Sequence, residues 1–334
     1  MKASDALGVI LAAGKGTRMV PFSDRYPKPI LPIAGKPLMA YQLEALYAAG
    51  IRDVVIVIGH LGYEVVRALG DGAQYGMKFK YVEQGATLGI AHAVSRLEKH
   101  VDRPFFLFLG DIFFETKRLD AMAKALLPGK CDGVLAVKTE KDLEAIKRNY
   151  VVLLGKKKDV VRVIEKPRHP RTNLKGCGLY LFDVTFFDAV RRTPRTAMRD
   201  EYEITDAIQI FIDDGYRVRA LEIVQEDLNL TFAHDLLSLN LHVLRTHSGL
   251  RLSEGRSLIG RDVKIHRGAR VEGSIVMDGA EIATPILVRD SLVFPREVVR
   301  RNRDMDRIIV SDGQEIDCRH VVASSDGAGG LEEP

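Results

Sequence analysis

Three short apolar runs, rich in β-branched and aromatic residues, constrain the fold most because helical patterns separate them. The runs lie at 8–12, 53–58 and 104–109, with helical patterns between them at 38–49 and 89–100. Strands that alternate with helices form parallel sheets, since each connection crosses back over the sheet. The alternation therefore predicts an α/β fold with a doubly wound, mostly parallel sheet.

The pattern changes after a helix-like stretch at 234–247. Apolar residues then recur at six-residue intervals, namely Ile259, Ile265, Val271 and Met277. This period is typical of hexapeptide coils and predicts a short left-handed β-helix. The alternative is an ordinary strand-rich tail.

Chain length indicates how these parts divide. At 334 residues, and roughly 150 residues per domain, the chain has room for about two domains. We expect a large first domain at 1–248, the β-helix at 256–299 and a C-terminal extension at 300–334. The extension ends in small, polar and acidic residues, which predict a disordered end.

Charge and cysteine content exclude several classes of partner. The chain has 49 Lys and Arg against 45 Asp and Glu, a net charge of +4, which is too weak for a protein that binds nucleic-acid phosphates. Its three cysteines are far apart and form no CxxC motif, which favours the reducing cytoplasm. No uncharged apolar run approaches the roughly 18 residues of a membrane helix, and we expect neither a signal peptide nor a membrane anchor.

A glycine-rich turn follows the first apolar run and carries the chemistry. The segment 11–21 reads LAAGKGTRMVP, and YPKPILP follows at 26–32. The spacing fits neither a Walker A loop nor GxGxxG, because Met19 stands where the third glycine belongs. Such a turn still brings backbone N–H groups close to a polyphosphate, which Arg18 and Lys28 would neutralise. The segment therefore predicts a nucleotide site.

The motifs GxGTRxxP and PKPxLP resemble the signature of the sugar-1-phosphate nucleotidylyltransferases, which include glucose-1-phosphate thymidylyltransferases and uridylyltransferases. The similarity runs from about residue 7 to 244, and the β-helix resembles the tail of the longer members. The resemblance implies a Rossmann-like nucleotidyltransferase fold, with 1–248 as the catalytic domain. It also implies roles for the glycine-rich segment: Arg18 and Lys28 act in catalysis on the phosphates, and the nucleotide is lined by Ala12, Ala13, Gly14, Gly16 and Thr17.

Two later segments match the family in the expected order. The sequence QGATLGIAHA at 84–93 resembles QxxPLGLAHA, which implies that Gln84 and Gly89 contact a pyrimidine base. Asp111, at the end of a predicted buried strand, matches the Asp that binds nucleotide and magnesium. The second magnesium ligand aligns with Asn229, whose amide oxygen is an acceptable ligand for Mg²⁺.

The sugar-phosphate side is implied by an EKP motif and the segment after it. Glu165, Lys166, Asn173 and Gly178 match the family's residues there. Tyr150 departs from the pattern, because the family usually has a glycine at this place beside the sugar. The chain also has no tryptophan to form an aromatic wall, so the identity of the sugar stays open.

The resemblance implies an enzyme that uses Mg²⁺ to transfer a nucleotidyl group from dTTP or UTP to a hexose 1-phosphate, with glucose 1-phosphate expected and pyrophosphate released. The choice between dTTP and UTP stays open. Alternatives are a mannose-1-phosphate guanylyltransferase and a non-catalytic homologue that binds nucleotide sugar; a glycosyltransferase would need an Asp-x-Asp motif, which 111–113 lacks. The open ends of hexapeptide coils usually need cover, so we expect a homo-oligomer through the C-terminal region.

Overall fold

Strands and helices alternate through the first part of the computed structural model, which describes residues 1–116, 118–127, 129–197, 200–247 and 249–319. The strands before residue 230 are β1 Leu7–Ala12, β2 Pro32–Ile33, β3 Lys36–Pro37, β4 Asp53–Ile58, β5 Lys78–Glu83, β6 Phe105–Leu109, β7 Ile112–Glu115, β8 Gly133–Thr139, β9 Tyr150–Leu154, β10 Val160–Glu165, β11 Leu174–Phe182, β12 Val218–Glu222 and β13 Glu226–Asn229. The helices there are α1 Leu38–Ala48, α2 Gly62–Leu69, α3 Ile90–Ser95, α4 Leu119–Ala125, α5 Leu143–Arg148, α6 Phe186–Arg192 and α7 Ile204–Asp213.

The central sheet has nine strands and is mixed rather than mostly parallel. Its main path runs β10-β9-β11-β6-β1-β4-β5, with β8 paired to β11 and β12. The strands β6, β1, β4 and β5 are parallel to one another, as predicted. The prediction was wrong for much of the other half, where β11 runs antiparallel to β6, β8 and β9, although β8 and β12 are parallel. There β9 and β10 are joined by a short turn, and a short turn can connect only antiparallel neighbours.

Helices cover both faces of this sheet, which confirms the doubly wound arrangement. On one face, Met39 and Leu43 of α1 and Val65 of α2 pack with Ile10 and Ile56 of the sheet. Helices α6 and α7 pack on the other face with Val9 of β1. Strands covered on both faces are continuously apolar, and β1, β4 and β6 have this composition.

The described residues divide into two compact units. The first contains Met1–Pro32 and Lys36–Thr231, and the second contains Ile33–Gly35 and the chain from Phe232 onward. The second unit begins with helix α8 Ala233–Thr246, so it starts before residue 248, where the sequence suggested the first domain ends. No helix in the described ranges is long and apolar enough to cross a membrane.

After α8, the second unit consists of short strands stacked in three sheets. The strands are β14 Leu258–Ile259, β15 Lys264–Ile265, β16 Arg270–Glu272, β17 Ile275–Val276, β18 Glu281–Ile282, β19 Leu287–Arg289, β20 Leu292–Val293, β21 Val298–Val299, β22 Met305–Asp306, β23 Ile308–Ser311 and β24 Gln314–Asp317. The sheets β14-β17-β20-β23, β15-β18-β21 and β16-β19-β22 are parallel. The last strand, β24, pairs antiparallel with β23.

The coils of this region are 17 residues long rather than three regular hexapeptides. Ile259 pairs with Val276, not with Met277, and Val276 pairs in turn with Val293. The predicted six-residue spacing therefore holds through Ile259, Ile265 and Val271, and the next step is five residues. Each coil has two corners with left-handed backbone, and these recur every 17 residues at Arg256, Gly273, Asp290 and Arg307 and at Asp262, Gly279, Arg296 and Gly313.

The strands continue beyond residue 299, where the sequence analysis places the end of this region. Met305 of β22 stacks on Val288, and Val310 of β23 stacks on Val293. The expectation of a disordered C-terminal end falls on residues that lie outside the described ranges.

Candidate functional site

The carboxyl ends of the four parallel strands bring the predicted nucleotide residues to one edge of the sheet. Ala12 is the last residue of β1, Gln84 follows β5, and Asp111 comes two residues after the end of β6. Ligands of open α/β sheets bind at this edge, because the connections there leave a crevice. The residues predicted from widely separated motifs therefore lie at the same edge.

Two glycines that the sequence analysis did not assign hold this edge together. A Cβ on Gly110 would lie 2.5 Å from the carbonyl oxygen of Leu11, and one on Gly59 would lie 2.7 Å from that of Ala13. The Gly110 N–H donates to the Leu11 carbonyl at 2.9 Å. These contacts fix the backbone at Ala12 and Ala13, and any larger side chain at either glycine would push the strands apart.

The glycine turn itself lies over the side chain of Lys28. Gly14 is exposed, and a Cβ there would meet no heavy atom within 4 Å. Gly16 has φ +64°, and a Cβ there would lie 3.0 Å from Cε of Lys28. Glycine is thus needed at 16 both for its left-handed backbone and for the close approach of Lys28. Thr17 starts the short 3₁₀ turn that follows.

Lys28 connects this turn to the end of β6. Its Nζ lies 3.6 Å from Oδ2 of Asp111, and the two side chains are 14% and 48% exposed. Arg18 is exposed, and its guanidinium makes no hydrogen bond or ion pair within the described part of the chain. The arrangement presents one fixed cation, one solvated cation and one half-exposed carboxylate.

Asn229 lies next to Asp111 through strand pairing. It is opposite Ile112 in the antiparallel pair of β13 and β7, and the Leu230 N–H donates to the Asp111 carbonyl at 3.1 Å. The Asn229 Nδ2 donates to Oδ1 of Asn149 at 3.3 Å. Its own Oδ1 is buried and has no hydrogen-bond partner among the described residues.

These two oxygen donors fit a magnesium ion. Mg²⁺ is usually bound by one or two protein oxygens and completes its octahedral shell with water and substrate phosphates. Among the described residues no group of three or more His, Cys, Asp or Glu could hold a metal by itself. The half-exposed Asp111 carboxylate and the unpaired Asn229 oxygen are suited to an ion that arrives with a nucleotide.

Gln84 is buried and held by its amide nitrogen. Its Nε2 donates to the Gly89 carbonyl at 3.3 Å and lies 3.2 Å from Nδ1 of His92. Burial lowers the pKa of His92, and Arg96 lowers it further, so near neutral pH the ring is uncharged and can accept this bond. The amide nitrogen is occupied, and the Gln84 carbonyl oxygen is the group left for a base.

Glycine is required at position 89 for a different reason from the base contact that the sequence suggests. Its φ is +104°, and a Cβ there would lie 2.6 Å from the carbonyl oxygen of Tyr202. The Tyr202 N–H donates to Leu88 at 2.8 Å, and the Tyr202 carbonyl accepts from Ala91 at 2.9 Å. Gly89 therefore allows the backbone at Tyr202 to clamp this loop beside Gln84.

The EKP motif brings two of the predicted sugar-phosphate residues together. The Nζ of Lys166 lies 3.7 Å from Oε1 of Glu165, and Thr205 donates to Oε2 of Glu165 at 3.3 Å. Lys166 has φ +41°, and its N–H donates to the main-chain carbonyl of Asn149 at 2.9 Å. That bond fixes an unusual backbone conformation at the residue expected to meet the phosphate.

The other two predicted residues are placed differently. Gly178 has φ +68°, and a Cβ there would lie 2.7 Å from Ile112 and 2.9 Å from Leu109, so it packs against both neighbours of the 110–111 turn. Asn173 is exposed, and its main-chain carbonyl accepts from Glu140 at 2.9 Å. Within the described ranges no hydrogen bond joins the Asn173 side chain to Glu165 or Lys166.

Tyr150 fills the space above another glycine. A Cβ on Gly176 would lie 1.8 Å from Cζ of the Tyr150 ring, and the ring stacks on Tyr180 with centroids 6.1 Å apart. Burial raises the pKa of Tyr150 well above its usual value, so the side chain is a neutral phenol. The Tyr150 ring therefore occupies the space that a side chain at position 176 would otherwise fill, which explains how a tyrosine fits where the family usually has a glycine.

A buried ion pair beneath this region was missed by sequence reasoning. Nζ of Lys175 lies 2.9 Å from Oδ2 of Asp227 and 3.4 Å from Glu140, and the Lys175 and Asp227 side chains are 4% and 1% exposed. Removing one partner of a buried pair leaves the other uncompensated and typically costs about 3–5 kcal/mol. A lysine inside the apolar run of β11 was the available signal. The pair ties β13, which carries Asn229, to β11.

Comparison with known proteins gives the family of the chain. A sheet of this kind, with phosphate-handling residues at its carboxyl edge, is typical of nucleotide-binding α/β enzymes. Residues 7–227 match the nucleotidyl transferase family model. The chain is 36% identical over 293 residues to a glucose-1-phosphate thymidylyltransferase of Streptomyces griseus, covering 86% of this chain and 80% of that one. It is 32% identical over 227 residues to the UTP–glucose-1-phosphate uridylyltransferase AglF of Haloferax volcanii, covering 68% and 92%.

Solved structures give the same fold. A Bacillus anthracis protein crystallised with sucrose aligns with a TM-score of 0.63 at 25% identity, over 70% of this chain and 94% of that one. A UDP-glucose pyrophosphorylase in complex with UDP-glucose also aligns at 0.63, at 23% identity and over 70% and 97%, and this likeness concerns the fold alone. The chain belongs to the nucleotidyl transferase family and is an enzyme of that family.

Proposed function

We propose that this enzyme transfers a nucleotidyl group from dTTP or UTP to a hexose 1-phosphate, with glucose 1-phosphate expected, and releases pyrophosphate. The observation that carries the proposal is the contact of Lys28 with Gly16 on one side and Asp111 on the other. It joins a phosphate-binding turn to a carboxylate suited to a metal. The names of the relatives from Streptomyces and Haloferax support the sugar phosphate.

The reaction needs no general base from the protein. The second pKa of a phosphate monoester is near 6, so the sugar phosphate is largely a dianion at neutral pH and attacks the α-phosphorus directly. The obstacle is repulsion between two anions, which preorganised positive charge relieves. Arg18 would hold the triphosphate, Lys28 would face the α-phosphate, and Lys166 would hold the attacking phosphate in line.

Asp111 and Asn229 would hold Mg²⁺ through one carboxylate and one amide oxygen. When bound, the ion neutralises phosphate charge and supports in-line displacement. Lys28, whose Nζ lies 3.6 Å from Oδ2 of Asp111, would share this carboxylate with the ion.

The base pocket favours pyrimidines with an N3–H. With its amide nitrogen held by Gly89 and His92, Gln84 offers a carbonyl oxygen that accepts from this group in uracil or thymine. Cytosine presents an acceptor there, so the Gln84 oxygen would face another acceptor, and we expect a purine to be too large for this edge.

The stacked coils support a left-handed β-helix that mediates a homo-oligomer. Ile265 occupies an inward position of the first coil yet is 41% exposed, because no coil precedes it. Ile265→Asp should lower the mass measured by light scattering, whereas Val161→Asp, at an exposed position of the central sheet, should leave it unchanged. If the wild type and both variants have the same mass, the end of the coils is not part of an interface.

The free thiols of Cys131, Cys177 and Cys318 support a cytoplasmic location.

The reaction can be followed by ³¹P NMR with UTP or dTTP, glucose 1-phosphate and Mg²⁺. The proposal predicts that both substrates disappear together while a nucleoside diphosphate sugar and pyrophosphate appear in equal amounts. Release of nucleoside monophosphate, or no reaction with any hexose 1-phosphate, would contradict it.

A further inference from the structure

A hydrogen bond joins Asn229 to Asn149, the residue just before Tyr150, where the sequence departs from its family. Asn229 stands at a metal-ligand position, and Asn149 directly precedes the unusual Tyr150. Nδ2 of Asn229 donates to Oδ1 of Asn149 at 3.3 Å, although Asn229 ends β13 and Asn149 lies far away in the chain, between α5 and β9.

The hydrogen bonds of Asn149 determine which way both amides face. Its Nδ2 donates to the main-chain carbonyl of Ala145 at 2.8 Å, and a carbonyl can only accept. The Asn149 Oδ1 must therefore point away from Ala145, where only a donor can pair with it. That donor is the amide nitrogen of Asn229. The Asn229 oxygen is consequently the atom left without a partner among the described residues.

We propose that Asn149 is a positioning residue that holds Asn229 with its oxygen, rather than its nitrogen, available to Mg²⁺. The proposal rests on the proposed function, which places the metal at Asp111 and Asn229. An aspartate at 229 would need no such help, because its two oxygens are equivalent. An asparagine turned over would present an NH₂ group, which cannot bind a cation.

The main chain and the side chain of Asn149 serve different parts of the site. The main-chain carbonyl accepts from the Lys166 N–H at 2.9 Å, on the sugar-phosphate side. The side chain alone contacts Asn229. Asn149→Ala therefore removes the metal-side contact and keeps the sugar-phosphate one, which separates this role from a general structural one.

The test measures Mn²⁺ binding by EPR in the presence of a non-hydrolysable UTP analogue, together with the kinetics in Mg²⁺. Asn149→Ala should weaken Mn²⁺ binding about two- to ten-fold, the usual range for one net hydrogen bond, and leave KM for the sugar phosphate unchanged. In an Asn229→Asp background the same change should alter Mn²⁺ binding less than two-fold. Asn149→Asp loses the bond to Ala145 but keeps an acceptor for Asn229 and adds a negative charge beside the site, so it should bind Mn²⁺ at least as tightly as the wild type.

The matched control is Lys147→Ala on the same helix, where only an exposed ion pair with Glu144 is lost. Equal weakening by Asn149→Ala in both backgrounds, or no weakening in either, would overturn the proposal. If Asn149→Ala does not fold, Asn149→Asp serves in its place. Clearly weaker Mn²⁺ binding in Asn149→Asp, with unchanged binding in Lys147→Ala, would then overturn the proposal. Failure of the wild type to turn over with Mg²⁺ would instead contradict the proposed function, whatever Mn²⁺ binding shows.

Discussion

The Nζ of Lys28 lies 3.6 Å from Oδ2 of Asp111, so a lysine from the loop after β1 meets a carboxylate from the end of β6. The lysine is nearly buried and the carboxylate is half exposed, so solvent and ions reach the pair at the carboxylate. A cation entering there would share Asp111 with Lys28, and both charges would face the same phosphates.

The metal assignment predicts the effect of removing this carboxylate charge. Asp111→Asn should raise the Mg²⁺ concentration needed for half-maximal activity, because a hard cation loses its one charged protein ligand. Asn229→Asp should be tolerated. The measurement is a Mg²⁺ titration of initial rates, with Asp120→Asn as a control, since that carboxylate pairs with Lys124 on the surface of α4. The same Mg²⁺ dependence in wild type and Asp111→Asn would speak against the assignment.

Arg18 should act in turnover more than in folding. Its side chain is exposed and carries no ion pair in the described structure, so Arg18→Ala should leave the melting temperature nearly unchanged. Turnover should fall roughly 10²- to 10³-fold, the usual loss for one donor to a transition-state charge. Arg67→Ala, which breaks a surface ion pair of α2, serves as the control and should affect neither quantity. Unchanged turnover in Arg18→Ala would show that Arg18 takes no part in the mechanism.

Gln84 should set the preference among bases. Leaving a buried polar group unpaired costs about 1–3 kcal/mol, which corresponds to roughly ten- to a hundred-fold discrimination between UTP and CTP. Gln84→Ala should narrow this gap by raising KM for UTP, with little change for CTP. Gln74→Ala, at an exposed loop position, should leave the ratio unchanged. The base-pocket assignment fails if the UTP to CTP ratio is the same in wild type and Gln84→Ala.

A row of buried serines should stabilise the coils. Oγ of Ser274 accepts from the Ser291 N–H at 3.0 Å, and Oγ of Ser257 accepts in the same way from Ser274. Ser274→Ala leaves the buried Ser291 N–H without its acceptor and should lower the free energy of unfolding of the C-terminal unit by about 1–3 kcal/mol. Denaturant unfolding tests this, with the exposed Ser4→Ala as the control. A loss no greater than that of the control would show that the row does not stabilise the coils.

The parallel half of the sheet was predictable because its signals are local. The runs that form β1, β4 and β6 are apolar, as strands covered on both faces must be, apart from Asp53 at the exposed start of β4, and their ends fix where Gly14 and Asp111 lie. The antiparallel half was not predictable, because the direction of β11 depends on which neighbours it pairs with, and no local pattern encodes that choice.

The same limit applies to the site and to the coils. The family resemblance pointed to Lys28, Gln84 and Glu165 and also to Asn229, but nothing in the sequence pointed to Asn149, which contacts Asn229. The 17-residue coil was hidden because its 6-6-5 spacing looks like a regular six-residue period until Val276 replaces Met277 in the register.

The most direct test of the central claim is a pyrophosphate-release screen of five nucleoside triphosphates against several hexose 1-phosphates, with and without Mg²⁺. The account predicts Mg²⁺-dependent release with UTP and dTTP, within a modest ratio of each other, and much slower release with CTP, ATP and GTP. Fastest release with GTP would contradict the pyrimidine pocket at Gln84, and a mannose-1-phosphate guanylyltransferase would then be the better description.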